Sequence, residues 1–379
     1  MIQLFGRALA GRLLLAMVSV VAFNLAAFTA SAETEEAVLE EPADGKSLGL
    51  GAEVFGGWQA AWREDDSFNA WELDRAELQG RWSATPDVGL VVIAEVVRAA
   101  GPRGFFGVDG DSLVARLKQG WAFAGRDLGP VVLEARAGLI PDVWIEAIEA
   151  DYWVRGFAAT LSEAGQFFDT SDLGGSLHAG FFEDRLRLAV SLTNGEGRNL
   201  REQNRGKNIT GLVSYDLWRA DTQDHRLSLY LGARDGSVGA ASAPDHRLAA
   251  GASYISPVAG GGAEWVVGRG YAGHGSQEPL GFGAWGWVRP WQTFPGAVVR
   301  ADRLLTDRHI GDSHRTVLQV GLFQDLVPPA SRGQRMRAYL AYDRSFSGEF
   351  AAPLPGVPEA ADEQRLSFLF EFSIHHFWE

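Results

Sequence analysis

Basic or small side chains share one alternating phase in several stretches of this sequence: Arg116 and Lys118, Arg187 followed by Ala189 and Ser191, Arg226 with Ser228 and Arg234, and Arg335 with Arg337. The alternate phase is oily, with Leu188, Val190, Leu227, Leu229, Leu231, Met336 and Leu340. A period of two sends the two sets to opposite faces of β-strands. A row of guanidinium and ammonium groups on one face does electrostatic chemistry: it sorts ions by charge and holds oxyanions, arginine through its planar fork. Arg75, Arg81, Arg116, Lys118, Arg136, Arg187, Arg226 and Arg337 are assigned to such a basic, pore-lining wall. In the segment that reads as the fourth strand, Arg116, Lys118 and Gly120 are set against Leu117, Trp121 and Phe123.

The opposite sign gathers in one long connector, 139–172. Pro141 at a helix start, acids in the first turns, and Ile145, Ile148 and Tyr152 at helical spacing predict a short helix there. Asp142, Glu146 and Glu149, followed by Asp151, are its acidic candidates, while Trp144, Trp153 and Phe157 are apolar anchors. A connector of this length is not expected to be idle. Folded inward, its acids oppose the basic wall and set a transverse field at a constriction. In the other arrangement the connector lies on the surface, and acids of the wall such as Glu77 and Glu134 satisfy the arginines.

Covalent chemistry has weaker support. His309, Asp312, Ser313 and His314 lie close in sequence, but no nucleophile elbow or H-E-x-x-H pattern accompanies them. His375 and His376 read as interfacial residues, and Gly260-Gly261-Gly262 after Pro257 as a turn. The chain has no cysteine, which removes disulfides, thiolate metal sites and a cysteine nucleophile. No catalytic, metal or cofactor residue is assigned.

The elements that must position these groups are best seen at the C-terminus. Leu366, Phe368, Phe370, Phe372 and Ile374 alternate with Arg365, Ser367, Glu371, Ser373 and His375, and the strand ends at Trp378. A greasy row opposite a wet one suits a wall between lipid and water. Sixteen such segments, from 48–62 to 365–378, are read along the chain, with fourteen and eighteen as the alternative counts. Short turns at 84–87, 125–130, 182–185, 219–225, 257–262 and 289–296 alternate with generally longer links, among them 100–113, 139–172, 193–207 and 344–364, the asymmetry of a transmembrane β-barrel. Arginine facing lipid at mid-membrane costs about 2–4 kcal/mol, so the charged phase faces an aqueous lumen.

At the other end, Arg7 and Arg12, the apolar run from Leu13 to Phe28 and Ala30-Ser31-Ala32 predict a signal peptide over 1–32 and export to the outer membrane. Residues 33–47 form an acidic leader, and the barrel occupies 48–379. Loss of Arg7 and Arg12 takes the formal charge from −14 to −16, which disfavours nucleic acid as a partner. Outer-membrane lipid and small hydrophilic solutes or inorganic ions are the partners this architecture calls for.

Two stretches carry a family resemblance. Residues 172–216 contain Gly174-Gly175-Ser176, Glu183-Asp184-Arg185-Leu186, Asn194-Gly195-Glu196-Gly197, and Gly206-Lys207 through Ser214-Tyr215; Asp74 to Trp82 adds DRAELQGRW. These resemble the phosphate-selective porin O and P family. The resemblance implies a sixteen-stranded channel, commonly trimeric, whose closing strand is read by the barrel-insertion machinery. It implies passive diffusion with an anion or phosphate preference, but the family's lysine clusters have no counterpart here, where only Lys46, Lys118 and Lys207 occur. An outer-membrane hydrolase with a rim site and a closed adhesive barrel are the competing readings.

Overall fold

In an apolar solvent every backbone donor and acceptor must be satisfied within the protein, which a sheet achieves only by closing on itself. The computed structural model shows such a closure. It describes residues 46–63, 66–98, 112–198, 202–220, 225–271, 274–291, 294–327, 334–348 and 362–378. The predicted signal peptide, and the predicted leader up to Gly45, lie outside the described residues, as do the side chains of His375 to Trp378.

The strands are β1 (Ser47–Arg63), β2 (Asp66–Thr85), β3 (Val88–Arg98), β4 (Leu113–Asp127), β5 (Val131–Pro141), β6 (Ser171–Phe181), β7 (Leu186–Thr193), β8 (Asn208–Arg219), β9 (Arg226–Asp235), β10 (Ser237–Val238), β11 (Ala243–Pro244), β12 (His246–Ile255), β13 (Ala259–Arg269), β14 (Leu280–Val288), β15 (Gly296–Leu305), β16 (His314–Asp325), β17 (Gln334–Ser347) and β18 (Glu363–Trp378). Apart from the small β10–β11 hairpin, they form one closed sixteen-stranded antiparallel barrel with each strand beside its sequence neighbour. β1 and β18 seal it, in register from Leu48↔Trp378 to Arg63↔Glu363. Among the described residues two helices interrupt the β pattern, α1 (Val143–Glu149) and α2 (Leu161–Ala164), both in the connector between β5 and β6, called L3 below.

The period of two is visible in the burial. Along β9, Ser228, Tyr230, Gly232 and Arg234 are buried while Leu229, Leu231 and Ala233 are exposed. Buried here means turned into the barrel; the exposed leucines form the outer apolar coat.

β4 departs from the predicted phase. Ile93 of β3 pairs with Gln119, and Ala94 with Leu117, so Lys118 is the extra residue of a bulge. A one-residue slip inverts everything beyond it. Trp121 and Phe123, expected outside with Leu117, therefore turn inward, Phe123 being 4% exposed with the Arg81 guanidinium 4.8 Å from its ring centre. Beside this bulge, Gly138 of β5 has φ +133°, and a Cβ there would lie 2.9 Å from the Trp121 Cα, so only glycine fits.

Replacing Leu231, which is 60% exposed in the middle of β9, with arginine puts a guanidinium against lipid. Denaturant unfolding of the refolded protein in bilayers should show a loss of about 2–4 kcal/mol.

Candidate functional site

L3 turns into the barrel and lies on its inner wall, and its local sequence explains how. Asp142 caps α1, its Oδ1 accepting from the Trp144 and Ile145 amides at 2.9 and 3.2 Å. Thr160 and Glu163 have the spacing of a capping box at α2, where Thr160 Oγ1 accepts from the Glu163 amide at 3.3 Å.

Two apolar clusters fix the loop to one half of the wall. Val143, Trp144, Ile145, Ile148, Leu161 and Phe167 pack with Leu212, Tyr230, Ala249, Val266 and Leu304. In the middle of the loop, Tyr152, Val154 and Phe157 pack with Trp285, Trp287, Val298, Phe323 and Tyr339. Trp153 stacks on Trp287 at 4.2 Å, and the Arg337 guanidinium lies 3.6 Å from the Trp153 ring centre. Each large apolar side chain buried this way contributes about 1.5–3 kcal/mol.

The wall is thinned to receive them. A Cβ at Gly232 would sit 2.5 Å from Trp144, and one at Gly281 would sit 2.6 Å from Phe167. These inward-phase glycines, with Gly251 facing Ile148 and Gly321 facing Phe157, are a signal in the sequence that periodicity alone did not single out.

The acidic candidates divide into two groups. Asp142 and Asp151 are wall anchors: Asp142 accepts from Arg234, and Asp151 accepts from Arg226, Tyr230 and Ser253. Glu146 and Glu149 face the opposite way. Arg136 donates to both oxygens of Glu146 at 2.7 and 2.8 Å and to Glu134 at 2.5 Å, and Arg155 lies 3.2 Å from Glu149.

The basic candidates are likewise spread. Arg75 reaches Glu77 at 3.2 Å and Glu163 of L3 at 3.9 Å, while Lys118 donates to Glu77 at 2.7 Å. Arg116 meets Glu95 at 2.7 Å, sharing it with Arg198 at 3.0 Å. Arg81 covers Phe123, and Arg187 pairs with Asp216 at 3.2 Å near the short-turn end. Arg226 and Arg337 belong to the wall that holds L3; Arg337 donates to Asp325 at 2.6 Å. Wall acids thus satisfy many arginines, and L3 satisfies Arg136, Arg226 and Arg234. Glu163, Arg155, Arg198 and Glu95 were not singled out from the sequence; for Glu163 the capping-box spacing after Thr160 was the available clue.

Glu149 and Glu163, both on L3 and turned toward β2–β4, lie within hydrogen-bonding reach of each other. Glu149 Oε1 and Glu163 Oε2 are shielded from solvent and meet no donor outside this pair. Burial, reinforced by Glu163 and opposed by Arg155, Lys118 and Arg75, pushes the Glu149 carboxyl up to about 7. Burial also disfavours charge on Glu163, but Arg75, Arg155, Lys118 and a hydrogen bond from Glu149 hold it below the ordinary range. The two carboxyls titrate as a pair, with protonation favoured at Glu149 and ionisation at Glu163.

The His309–His314 segment assembles no catalytic pair. Ser313 Oγ donates to the Asp307 carbonyl at 2.6 Å, His314 Nδ1 lies 3.2 Å from the Gly311 carbonyl, and His309 Nε2 is 3.0 Å from Glu278. The hydroxyl closes a turn, and neither imidazole contacts it.

No protein-family model and no curated protein matches the sequence. Solved structures do share its fold. The anion-selective porin from Comamonas acidovorans superposes with a TM-score of 0.54 at 13% identity, over 88% of this chain and 100% of that one. Salmonella typhi OmpF in complex with daunomycin gives 0.55 at 13% identity, over 88% and 100%. Vibrio cholerae OmpT lacking loop L8 gives 0.50 at 10% identity, also over 88% and 100%.

Two outcomes follow from this geometry. If the barrel conducts ions, the negative charge that Glu149 gains as pH rises through about 7 should lower the anion-to-cation permeability ratio across that range in the wild type. In E149Q, the dependence should flatten in salt-gradient reversal potentials. D151A removes the acceptor shared by Arg226, Tyr230 and Ser253 and should cost about 1–3 kcal/mol. Tryptic cleavage after Arg155, slow in the wild type, should accelerate in this variant.

Proposed function

We propose that the chain is an outer-membrane porin, a water-filled channel for passive diffusion of small hydrophilic solutes and ions with a mild anion preference. The observation that carries the reading is the closed barrel whose outer phase is apolar and whose inner phase is charged. Such an inner row is stable only where water or opposite charge meets it, and both occur in a solvated lumen.

The arrangement of L3 supports a constriction. The loop stands against β8–β17 through its apolar side chains and turns Glu146, Glu149, Glu163 and Arg155 toward the ion pairs of β2–β5. Cations turned toward this side, Arg75, Arg81, Arg116, Lys118, Arg136, Arg155 and Arg198, are largely balanced by Glu77, Glu95, Glu134, Glu146, Glu149 and Glu163. That balance supports weak rather than steep selectivity. The Comamonas porin described as anion-selective has the same fold, which agrees with the preferred sign.

Phosphate specificity receives no comparable support. Lys118 is committed to Glu77 and Lys207 to Glu202, and no lysine cluster lines the strands. The long connectors are assigned to the outside and the short turns to the periplasm. Export by the 1–32 signal peptide, a role for the closing strand in insertion, and a homotrimer complete the proposal. A channel is favoured over a hydrolase because Ser313 is engaged with backbone and not with a base.

Refolded full-length protein in planar bilayers should give stable single-channel steps, with an anion-to-cation ratio modestly above one at acidic pH and no advantage of phosphate over chloride. Well-folded protein that gives no steps would refute the channel and leave the adhesive barrel.

A further inference from the structure

Nearly every inward arginine described above has an acid beside it. On the outer surface the situation is different. Arg269, Arg303 and Arg344 lie in the outward phase of β13, β15 and β17, each near the long-connector end of its strand, and all three are exposed. Among the described residues none forms an ion pair with them; the Arg344 guanidinium rests 4.6 Å from the Phe346 ring centre. A guanidinium on the lipid face is tolerated near the interface, where its long stem lies along apolar surface and its head reaches the polar layer.

Below Arg303 the outer wall has a depression of about 530 Å³. Ala250, Ala252, Ala263, Ala284 and Ala301 form its floor, Trp265 and Phe282 rise from it, and Arg303 with Thr316 closes one end. The strand register explains the shape: Ala252↔Ala263, Ala263↔Ala284 and Ala284↔Ala301 place small residues in a line across β12–β15. One rung away, Ala250↔Trp265, Trp265↔Phe282 and Phe282↔Arg303 make the wall. Arg303 pairs with Thr316 of β16 at that end, and Ala301 leads through Leu318 to Arg344, which stands two strands beyond the floor on the same side.

We propose that this groove binds one phosphorylated lipid of the leaflet at the long-connector end, an acyl chain lying over the alanine floor and the phosphate meeting Arg303 with Arg344 beside it. Charge complementarity selects this occupant. A neutral lipid fills the apolar floor equally well but leaves two guanidinia unpaired, whereas a phosphate accepts from the planar fork of each. The inference rests on the outer-membrane reading, since it needs lipid around the barrel.

The test uses full-length refolded protein in detergent micelles, titrated with lipid A or with lipid A stripped of its phosphates, bound lipid being counted by native mass spectrometry. Wild type should retain the phosphorylated form more strongly. R303Q should lower that preference by about fivefold, roughly the effect of one basic residue at a membrane surface. A284L, which raises the floor and leaves the charges, should weaken both forms. An unchanged preference in R303Q, or unchanged retention in A284L, would overturn the proposal. So would a change of oligomeric state in both variants by sedimentation without a change in lipid retention, which would make the groove a contact between copies. Channel steps recorded on the same samples separate the two levels: steps that persist in R303Q while lipid preference is lost leave the porin reading standing, and their absence in wild type removes that reading whatever the lipid result.

Discussion

Closure of the backbone ladder between β1 and β18 is the constraint on which the rest of the molecule depends. Once the first and last strands are paired, no edge faces the lipid, and each strand is left with two kinds of neighbour, hydrocarbon and lumen. Side-chain parity is then compulsory. Leu229 and Leu231 go out because Ser228 and Tyr230 go in, and a charge has one tolerable direction at mid-strand. The dense ion pairing of the interior is a consequence: charges confined to one side of a thin wall are brought close enough to neutralise one another.

L3 builds on that asymmetry by making the two halves of the lumen unlike. Toward β8–β17 it buries aromatic and aliphatic side chains in recesses left by glycine; toward β2–β5 it presents carboxylates and a guanidinium. Its polar anchors do a different task from the charges it turns toward β2–β5. Asp151, 3% exposed and surrounded by Arg226, Tyr230 and Ser253, positions the loop and is almost wholly covered by these partners. The bulge at Lys118 joins the halves, because its carbonyl accepts from Ser171 Oγ at 2.5 Å where L3 returns to the wall, while its ammonium reaches Glu77.

Much of this was legible in the sequence because parity is a local code. The alternation around Leu366 to Ile374 needs no knowledge of distant residues, and the alternation of short and long connectors gave the sixteen strands and their order. The helix after Pro141 was readable from its spacing, although Asp142 proved to be its cap. The inversion of Trp121 and Phe123 was not readable, since a bulge depends on the partner strand. The division of the acids into anchors and pore-side groups was hidden for a related reason. Whether Asp142 or Glu146 faces Arg234 is decided by how the whole loop settles on a wall far away in sequence.

That separation bears on the timing of assembly. Asp151 waits for Arg226, 75 residues downstream, and the Trp153 carbonyl receives Arg337 from 184 residues downstream. Such distant partners are slow to meet, so the loop is among the last parts to settle. A nascent cylinder lacking its C-terminal strands has berths on β8–β12 for the two ends of the loop but none on β14–β17 for the aromatic stretch between them.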